Sequence, residues 1–280
     1  PDLSCGYDVE TNHRPKINTT ATHVIYMITQ DSTDFRELYA VPITGGTSVK
    51  LNPGLAPGET IDDFELSPDG ASVVYTISEN YNEELYSVPI TGGPSVKLNP
   101  TLVSGGSVLT FKISLDSTRV VYTADQETNS VTELFSVPIS GPASSGVKLN
   151  WALVSGGDVD KSTFLISPDS SRVVYLADQA TDGTDELYST LITGGTIPVR
   201  LNPVLVSGGS VTEFEISPNS TRVVYRADQE TVDTDELYSV PISGGTAEKL
   251  NPALPTDADV GSWFAISPDS SRVVYTAGQE

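Results

Sequence analysis

Short runs of alternating apolar and polar residues recur along the chain, and no segment sustains the three-to-four-residue apolar period of a capped helix. The anchor of each run is an apolar pair followed by tyrosine. It reads HVIY at His23–Tyr26, SVVY at Ser72–Tyr75, and RVVY at Arg119–Tyr122, Arg172–Tyr175, Arg222–Tyr225 and Arg272–Tyr275. The six tyrosines lie 47 to 53 residues apart, so the chain is built from a repeat of about fifty residues.

Each full copy predicts four strands. In the copy from Thr212, TEFEIS alternates with Phe214 and Ile216 on one face and stops at a Pro-Asn-Ser turn. RVVYRA follows, β-branched and aromatic, as suits a buried strand. After an acidic loop comes ELYSVPI, and Gly244-Gly245 turns the chain into EKLN, which ends at Pro252. Four antiparallel strands per fifty residues predict an all-β propeller of four-stranded blades. Five copies are complete, and the sixth, a partial closing blade, has the first two strands only. Pro15-Lys16-Ile17-Asn18 aligns with Phe111-Lys112-Ile113-Ser114, so the propeller domain is expected over residues 15–280. Residues 1–14 then form an N-terminal segment, in which Leu3–Val9 is a candidate closing strand.

The pattern F-x-I-S-P-D-[SG], a hydrophobic strand, E-L-Y, G-G and K-L-N resembles the WD-like repeats of the TolB family of periplasmic propellers. The resemblance covers the chain from about Pro15 onward and is specific to the blade rather than to a function. It departs from the family at the blade end, where Leu-Asn replaces the usual Leu-Thr. It implies a location outside the cytoplasm: periplasmic, secreted or at the cell surface.

The half-built last blade has three readings: a three-stranded closing blade, a piece of a longer protein, or a blade completed by another subunit. The last would expose Val273 and Tyr275 to a neighbouring strand and, repeated head to tail, would build a filament. Leu3 and Tyr7 are the corresponding interaction candidates at the other end.

Charge narrows the partners. With 37 acidic and 15 basic residues the net charge is -22, which opposes binding to phosphate backbones and anionic lipid. Protein partners or further copies of the chain are expected, without nucleic acid or membrane insertion. Pro1 opens the chain without a signal-peptide pattern, so a secretion signal is expected to be removed or never present. Cys5 is the sole cysteine and excludes an intrachain disulfide.

Repetition supplies an internal control: a residue present in every copy is most simply structural, whereas a catalytic group should stand apart. The aspartates Asp69, Asp116, Asp169 and Asp269, with Asn219, read as turn formers, with Asp169–Arg172 and Asp269–Arg272 ion pairs as an addition. His13 and His23 lie in the degenerate first copy, and no hydrolase, zincin, Walker or dinucleotide motif is present. The chain is therefore read as a non-enzymatic scaffold with no cofactor. The alternative is a carbohydrate-active propeller using two of the off-repeat acids Asp62, Asp63, Asp158, Asp160, Asp257 and Asp259. Trp151 and Trp263, the only tryptophans, serve packing, an interface or a sugar platform.

The loops Asp125–Glu133, Asp178–Glu186 and Asp228–Glu236 are acidic. Asp178, Asp182, Asp185, Asp228, Asp233 and Asp235 are candidate Ca²⁺ ligands in loops that otherwise read as solvated. Asn18-Thr19-Thr20 and Asn219-Ser220-Thr221 fit the glycosylation acceptor pattern.

Overall fold

A computed structural model describes residues 7–8, 14–30, 35–255 and 258–278. The first sheet contains β1 (Tyr7–Asp8), β2 (Lys16–Ile17), β3 (His23–Gln30), β4 (Phe35–Pro42) and β5 (Val49–Lys50). The second contains β6 (Glu59–Leu66), β7 (Ser72–Glu79), β8 (Asn82–Pro89) and β9 (Val96–Lys97). The third contains β10 (Val108–Ile113), β11 (Arg119–Ala124), β12 (Glu133–Pro138) and β13 (Val147–Lys148). The fourth contains β14 (Val159–Ile166), β15 (Arg172–Ala177), β16 (Glu186–Leu191) and β17 (Val199–Arg200). The fifth contains β18 (Val211–Ile216), β19 (Arg222–Ala227), β20 (Glu236–Pro241) and β21 (Glu248–Lys249). The last described sheet has two strands, β22 (Val260–Ile266) and β23 (Val273–Ala277). Each fifty-residue copy is thus one antiparallel sheet in sequence order. The chain divides into two compact units, residues 1–130 with 135–147, and 131–134 with 148–280.

The sequence places the first sheet's opening strand correctly but misplaces the N-terminal segment. Lys16 pairs with Ile25, as Lys112 pairs with Val121 in the third sheet. Tyr7–Asp8 pairs with β3, with Asp8 opposite Thr29. The physical reason is an open edge: β3 runs eight residues, while β2 covers only Val24 and Ile25. Asp8 takes the place that Thr60, opposite Ser78, holds in the second sheet, so β1 and β2 are two pieces of one strand. Leu3, Cys5, His13 and Asp257 lie outside the described residues.

The second strand of each copy is the core strand. Val173, Val174 and Tyr175, and likewise Val223 and Tyr225, are fully buried, because both faces of these sheets are covered. The tyrosine of this strand lies against the aromatic of the next strand: Tyr26 on Tyr39, Tyr75 on Tyr86, Tyr122 on Phe135, Tyr175 on Tyr188 and Tyr225 on Tyr238. Centroid separations of 5.4 to 6.0 Å are those of stacked pairs.

The fourth strand is short but closely tied. The Asn of K-L-N accepts the amide of the Leu in E-L-Y (Leu38 to Asn52, Leu85 to Asn99, Leu134 to Asn150, Leu187 to Asn202, Leu237 to Asn251). The Glu of E-L-Y receives the neighbouring Lys or Arg, as in Lys148–Glu133 at 2.6 Å and Arg200–Glu186 at 2.6 Å. The Asn recurs because it satisfies a buried backbone donor that a two-residue strand cannot reach.

Turn glycines have a similar explanation. A Cβ on Gly92, Gly141 or Gly244 would come within 2.4–2.5 Å of Val49, Val96 or Val199 on the preceding sheet, and all three have positive φ. Gly70 stands where Ser117, Ser170, Ser220 and Ser270 occupy φ near +60°. Those serines keep a left-handed conformation that costs about 1 kcal/mol. Ser117 takes the amide of Asp69 at 2.9 Å, Ser220 that of Asp169 and Ser270 that of Asn219. At position 70 a Cβ would instead meet Thr19 Oγ1 at 2.8 Å.

Candidate functional site

The repeated aspartates are turn formers, as read from the sequence. Asp169 Oδ1 accepts the Ser167 hydroxyl at 2.6 Å and the Ser171 amide at 3.0 Å. Asp69, Asp116 and Asp269 repeat the arrangement, and these donors hold all four carboxyls below their usual range against the opposing effect of burial. The arginine ion pairs do not form in the described contacts. Arg172 donates to Ser189 Oγ at 3.1 Å, and Arg119 and Arg222 donate to Ser136 and Ser239 at 2.7 Å. The guanidinium follows its own strand across to the next one, where a serine offers an acceptor.

The acidic loops are clamped by their first residue. Asp125 accepts the Ser107 and Ser130 amides at 2.6 and 2.9 Å. Asp178 accepts the amides of Asp158 and Gly183, and Asp228 those of Ser210 and Asp233. The following glutamine was overlooked by sequence reasoning. Gln126, Gln179 and Gln229 accept the hydroxyls of the buried Tyr122, Tyr175 and Tyr225. In the first two copies Ser48 and Ser95 partner the hydroxyls of Tyr26 and Tyr75. Burial still pushes the Tyr75 hydroxyl up to about 12. The Gln four residues after the tyrosine in five of the six copies was a signal available in the sequence.

The six calcium candidates do not converge. Among the described residues no group of three or more acids forms a metal-ligand set. Asp178 and Asp228 are clamps, Asp233 has φ +59°, and Asp182 lies against Gly156, where a Cβ would come 2.7 Å from its Oδ2. Asp235 pairs with Arg226 at 2.5 Å, and its amide donates to Asp259. Burial, followed by the pull of Arg226 and the push of Asp228 and Asp259, leaves the Asp235 carboxyl raised.

Four carboxylates share one cavity. Asp158, Asp160, Asp178 and Asp185 line it with Thr132 and Lys161. Burial, reinforced by the charges of Asp160 and Asp178, pushes Asp185 up. Asp160 is held low despite burial, because Ser162 and Thr163 donate to it. Of the other off-repeat acids, Asp62 is paired with Arg36 at 3.1 Å, and Asp63 accepts the amide of Phe64.

Trp151 and Trp263 are 53% and 57% exposed, so neither is core packing. Trp151 keeps the backbone role of the proline it replaces, its carbonyl accepting from Asn150. His23 is a partly exposed substitution whose Nδ1 meets Thr22. The two glycosylation acceptor patterns differ sharply. Asn18 is 2% exposed, with its amide nitrogen donating to Thr20, Thr22 and Gly70, whereas Asn219 is exposed.

The second candidate site is the edge of the last described sheet. Val274 is 59% exposed, whereas Val174 and Val224 at the same repeat position are 0% and 2% exposed. Beside β23 lies a groove lined by Arg222, Val224, Leu250, Ile266, Arg272 and Tyr275.

No family model matches the sequence, and no curated protein does. Solved structures do match. A puromycin-hydrolyzing peptidase from Mycobacterium tuberculosis aligns over 95% of this chain and 43% of its own, at 14% identity and a TM-score of 0.53. Oligogalacturonate lyase from Vibrio parahaemolyticus aligns over 93% of this chain and 68% of its own, at 14% identity and a TM-score of 0.51. The fold is a β-propeller. A putative TolB from Agrobacterium tumefaciens also aligns, over 85% of this chain and 79% of its own, at 19% identity and a TM-score of 0.45. The peptidase is more than twice the length this chain spans of it. The expectation that the chain is not an enzyme is corrected by these neighbours. Two of the three are enzymes of the same propeller fold, so structural use of the repeated acids is no ground for excluding catalysis.

Proposed function

We propose that the chain is a protein-binding propeller outside the cytoplasm, which takes up an extended polypeptide along β23. The observation that carries this is the exposure of Val274 beside its buried counterparts Val174 and Val224. Among the described residues β23 pairs with β22 alone, and an edge with an apolar face offers backbone hydrogen bonds and side-chain pockets together, which is the basis of recognition by strand addition. The resemblance to TolB-family blades and the acidic, Ser- and Thr-rich surface support the location. Among the described residues no helix is long and apolar enough to cross a membrane.

The test is selection of extended peptides from a random library on the immobilised chain, with amide exchange as readout. Selected peptides should slow exchange at residues 273–277. Peptides that bind without protecting those amides, or a library that yields none, would refute the reading.

A second reading has one observation in its favour: Asp160 and Asp185 share a cavity with their carboxyl affinities for protons pushed apart, as an acid and a base or nucleophile require. The acidic lining would repel a polyanion such as oligogalacturonate, so a neutral or cationic substrate fits better. Cleavage of a neutral glycan or basic peptide should fall at least 100-fold in Asp185→Asn. Unchanged turnover in that variant, or no cleavage by the parent chain, would eliminate this site.

A further inference from the structure

The second copy departs from the repeat where its second and third strands meet. A Gln stands four residues after the tyrosine in the other five copies, and Glu79 takes its place here. In the third to fifth sheets an acidic loop follows that Gln, whereas β7 and β8 are joined by Asn80 and Tyr81 alone, at φ +51° and +69°. Such a turn ordinarily carries Gly at its second place, because a side chain there is strained. Tyr81 is 96% exposed, more than any other large apolar or aromatic side chain among the described residues. The tight turn also lengthens the paired strands, which sets Glu59 of β6 directly opposite Glu79 of β7. Like charges so placed destabilise a sheet, and among the described residues no Lys or Arg pairs with either carboxylate.

Both glutamates border a cavity of about 330 Å³ that lies within the first compact unit. Ile77, Leu102 and Val103 supply its apolar lining, and Asn82 joins Glu59 and Glu79 in its polar one. Glu84 also reaches it, but that carboxylate is taken by Lys97 and the Tyr86 hydroxyl. We infer that this cavity takes an arginine side chain of a basic peptide, with the guanidinium between Glu59 and Glu79 and the methylenes on the apolar lining. Tyr81, in the turn between Glu79 and Asn82, is the aromatic surface at its edge. Charge selects this occupant. An anion would add to the repulsion between the glutamates and a neutral ligand would leave it, whereas a cation removes it. Among the described residues no three acids are arranged as a metal-ligand set. A guanidinium suits the site better than an ammonium, because its planar fork can meet two carboxylates and it stacks on aromatic rings. The net charge of -22 draws a basic peptide toward the chain. This site is on a different sheet from β23, so it and the strand-addition reading can fail separately.

The probe is a fluorescein-labelled peptide, Gly-Ser-Arg-Gly-Arg-Ser-Gly, titrated into the 280-residue chain. Titration at about 150 mM salt screens charges more than about 8 Å apart, so that general attraction to the acidic chain is weakened. Binding in the micromolar range is expected. Glu79→Gln, which installs the residue of the other copies, should weaken it at least about fivefold, and Tyr81→Gly at least about threefold. Both variants should keep or raise the melting temperature, since one removes a like-charge pair and the other a strained turn residue. Asp233→Asn removes the same charge as Glu79→Gln at a turn of the fifth sheet, and should bind as the parent does. Equal losses in Glu79→Gln and Asp233→Asn would reduce the effect to net charge and overturn the inference. Full binding by Tyr81→Gly, or none by the parent chain, would overturn it as well. Equal affinity for the peptide with Lys in place of Arg would overturn the guanidinium as occupant. Displacement of the peptide by millimolar Ca²⁺, but not by Na⁺ of equal ionic strength, would assign the carboxylates to a metal ion instead.

Discussion

Tyr225→Ala is expected to lower stability by about 3–5 kcal/mol, the range for removing a large buried aromatic, while Tyr275→Ala costs less than half as much. The two residues occupy the same place in successive repeats, so sequence context is nearly matched and structural context is not. Tyr225 is 0% exposed, stacks on Tyr238 at 5.4 Å and donates its hydroxyl to Gln229 at 2.8 Å. Its removal leaves a cavity between covered faces and an unsatisfied acceptor in Gln229, which is itself 6% exposed. Tyr275 is only partly buried, against the cluster of Val224, Leu237, Val260 and Phe264. Urea midpoints of the two variants, read with unchanged slopes, check the difference. Equal losses would mean that Tyr275 is as enclosed as its counterpart, and the open edge would then be excluded. Addition of a binding peptide should raise the cost of Tyr275→Ala toward that of Tyr225→Ala, because the peptide supplies the missing face.

The blade was legible because its signals are local and repeated. Val-Val-Tyr announces a covered strand, Gly-Gly announces a turn, and six copies remove chance. The roles of Gln126, Gln179 and Gln229 were harder to read, although comparison between copies shows a Gln four residues after the tyrosine in every copy but the second. The position of Tyr7–Asp8 was not legible. A broken strand has no periodic signal, and only the unequal lengths of β2 and β3 show where an edge remains open. The acids were over-read. Asp178 and Asp228 look like ligands in a list of residues, but their oxygens are occupied by backbone amides, which sequence spacing alone does not reveal. The Asp160–Asp185 cavity was missed in part for the opposite reason. Asp160 was noted as standing off the repeat and Asp185 as a calcium candidate, and only folding brings the two loops together.

Asn99→Ala is expected to cost about 1–3 kcal/mol, the penalty for stranding one buried backbone donor. Asn99 is 0% exposed, accepts the Leu85 amide at 2.8 Å and donates to the Pro100 carbonyl at 2.8 Å. Leu85 is equally buried, so water does not replace the lost acceptor. Asn99→Asp gives a sharper result. The new carboxylate keeps an oxygen for the Leu85 amide but sets a second oxygen against the Pro100 carbonyl, and burial without a cation disfavours its charged form. Its folded-state pKa should therefore lie above the unfolded value. Such a group binds more protons in the folded state, so the variant loses stability as pH rises and regains it as pH falls through the folded pKa. Measured as the difference from the parent chain, which cancels the other carboxylates, the deficit of Asn99→Asp should shrink between pH 7 and pH 4, whereas that of Asn99→Ala should stay constant. A deficit of Asn99→Asp that does not change with pH would mean that the site is wet. The Asn of K-L-N would then be a surface preference rather than the group that completes a two-residue strand.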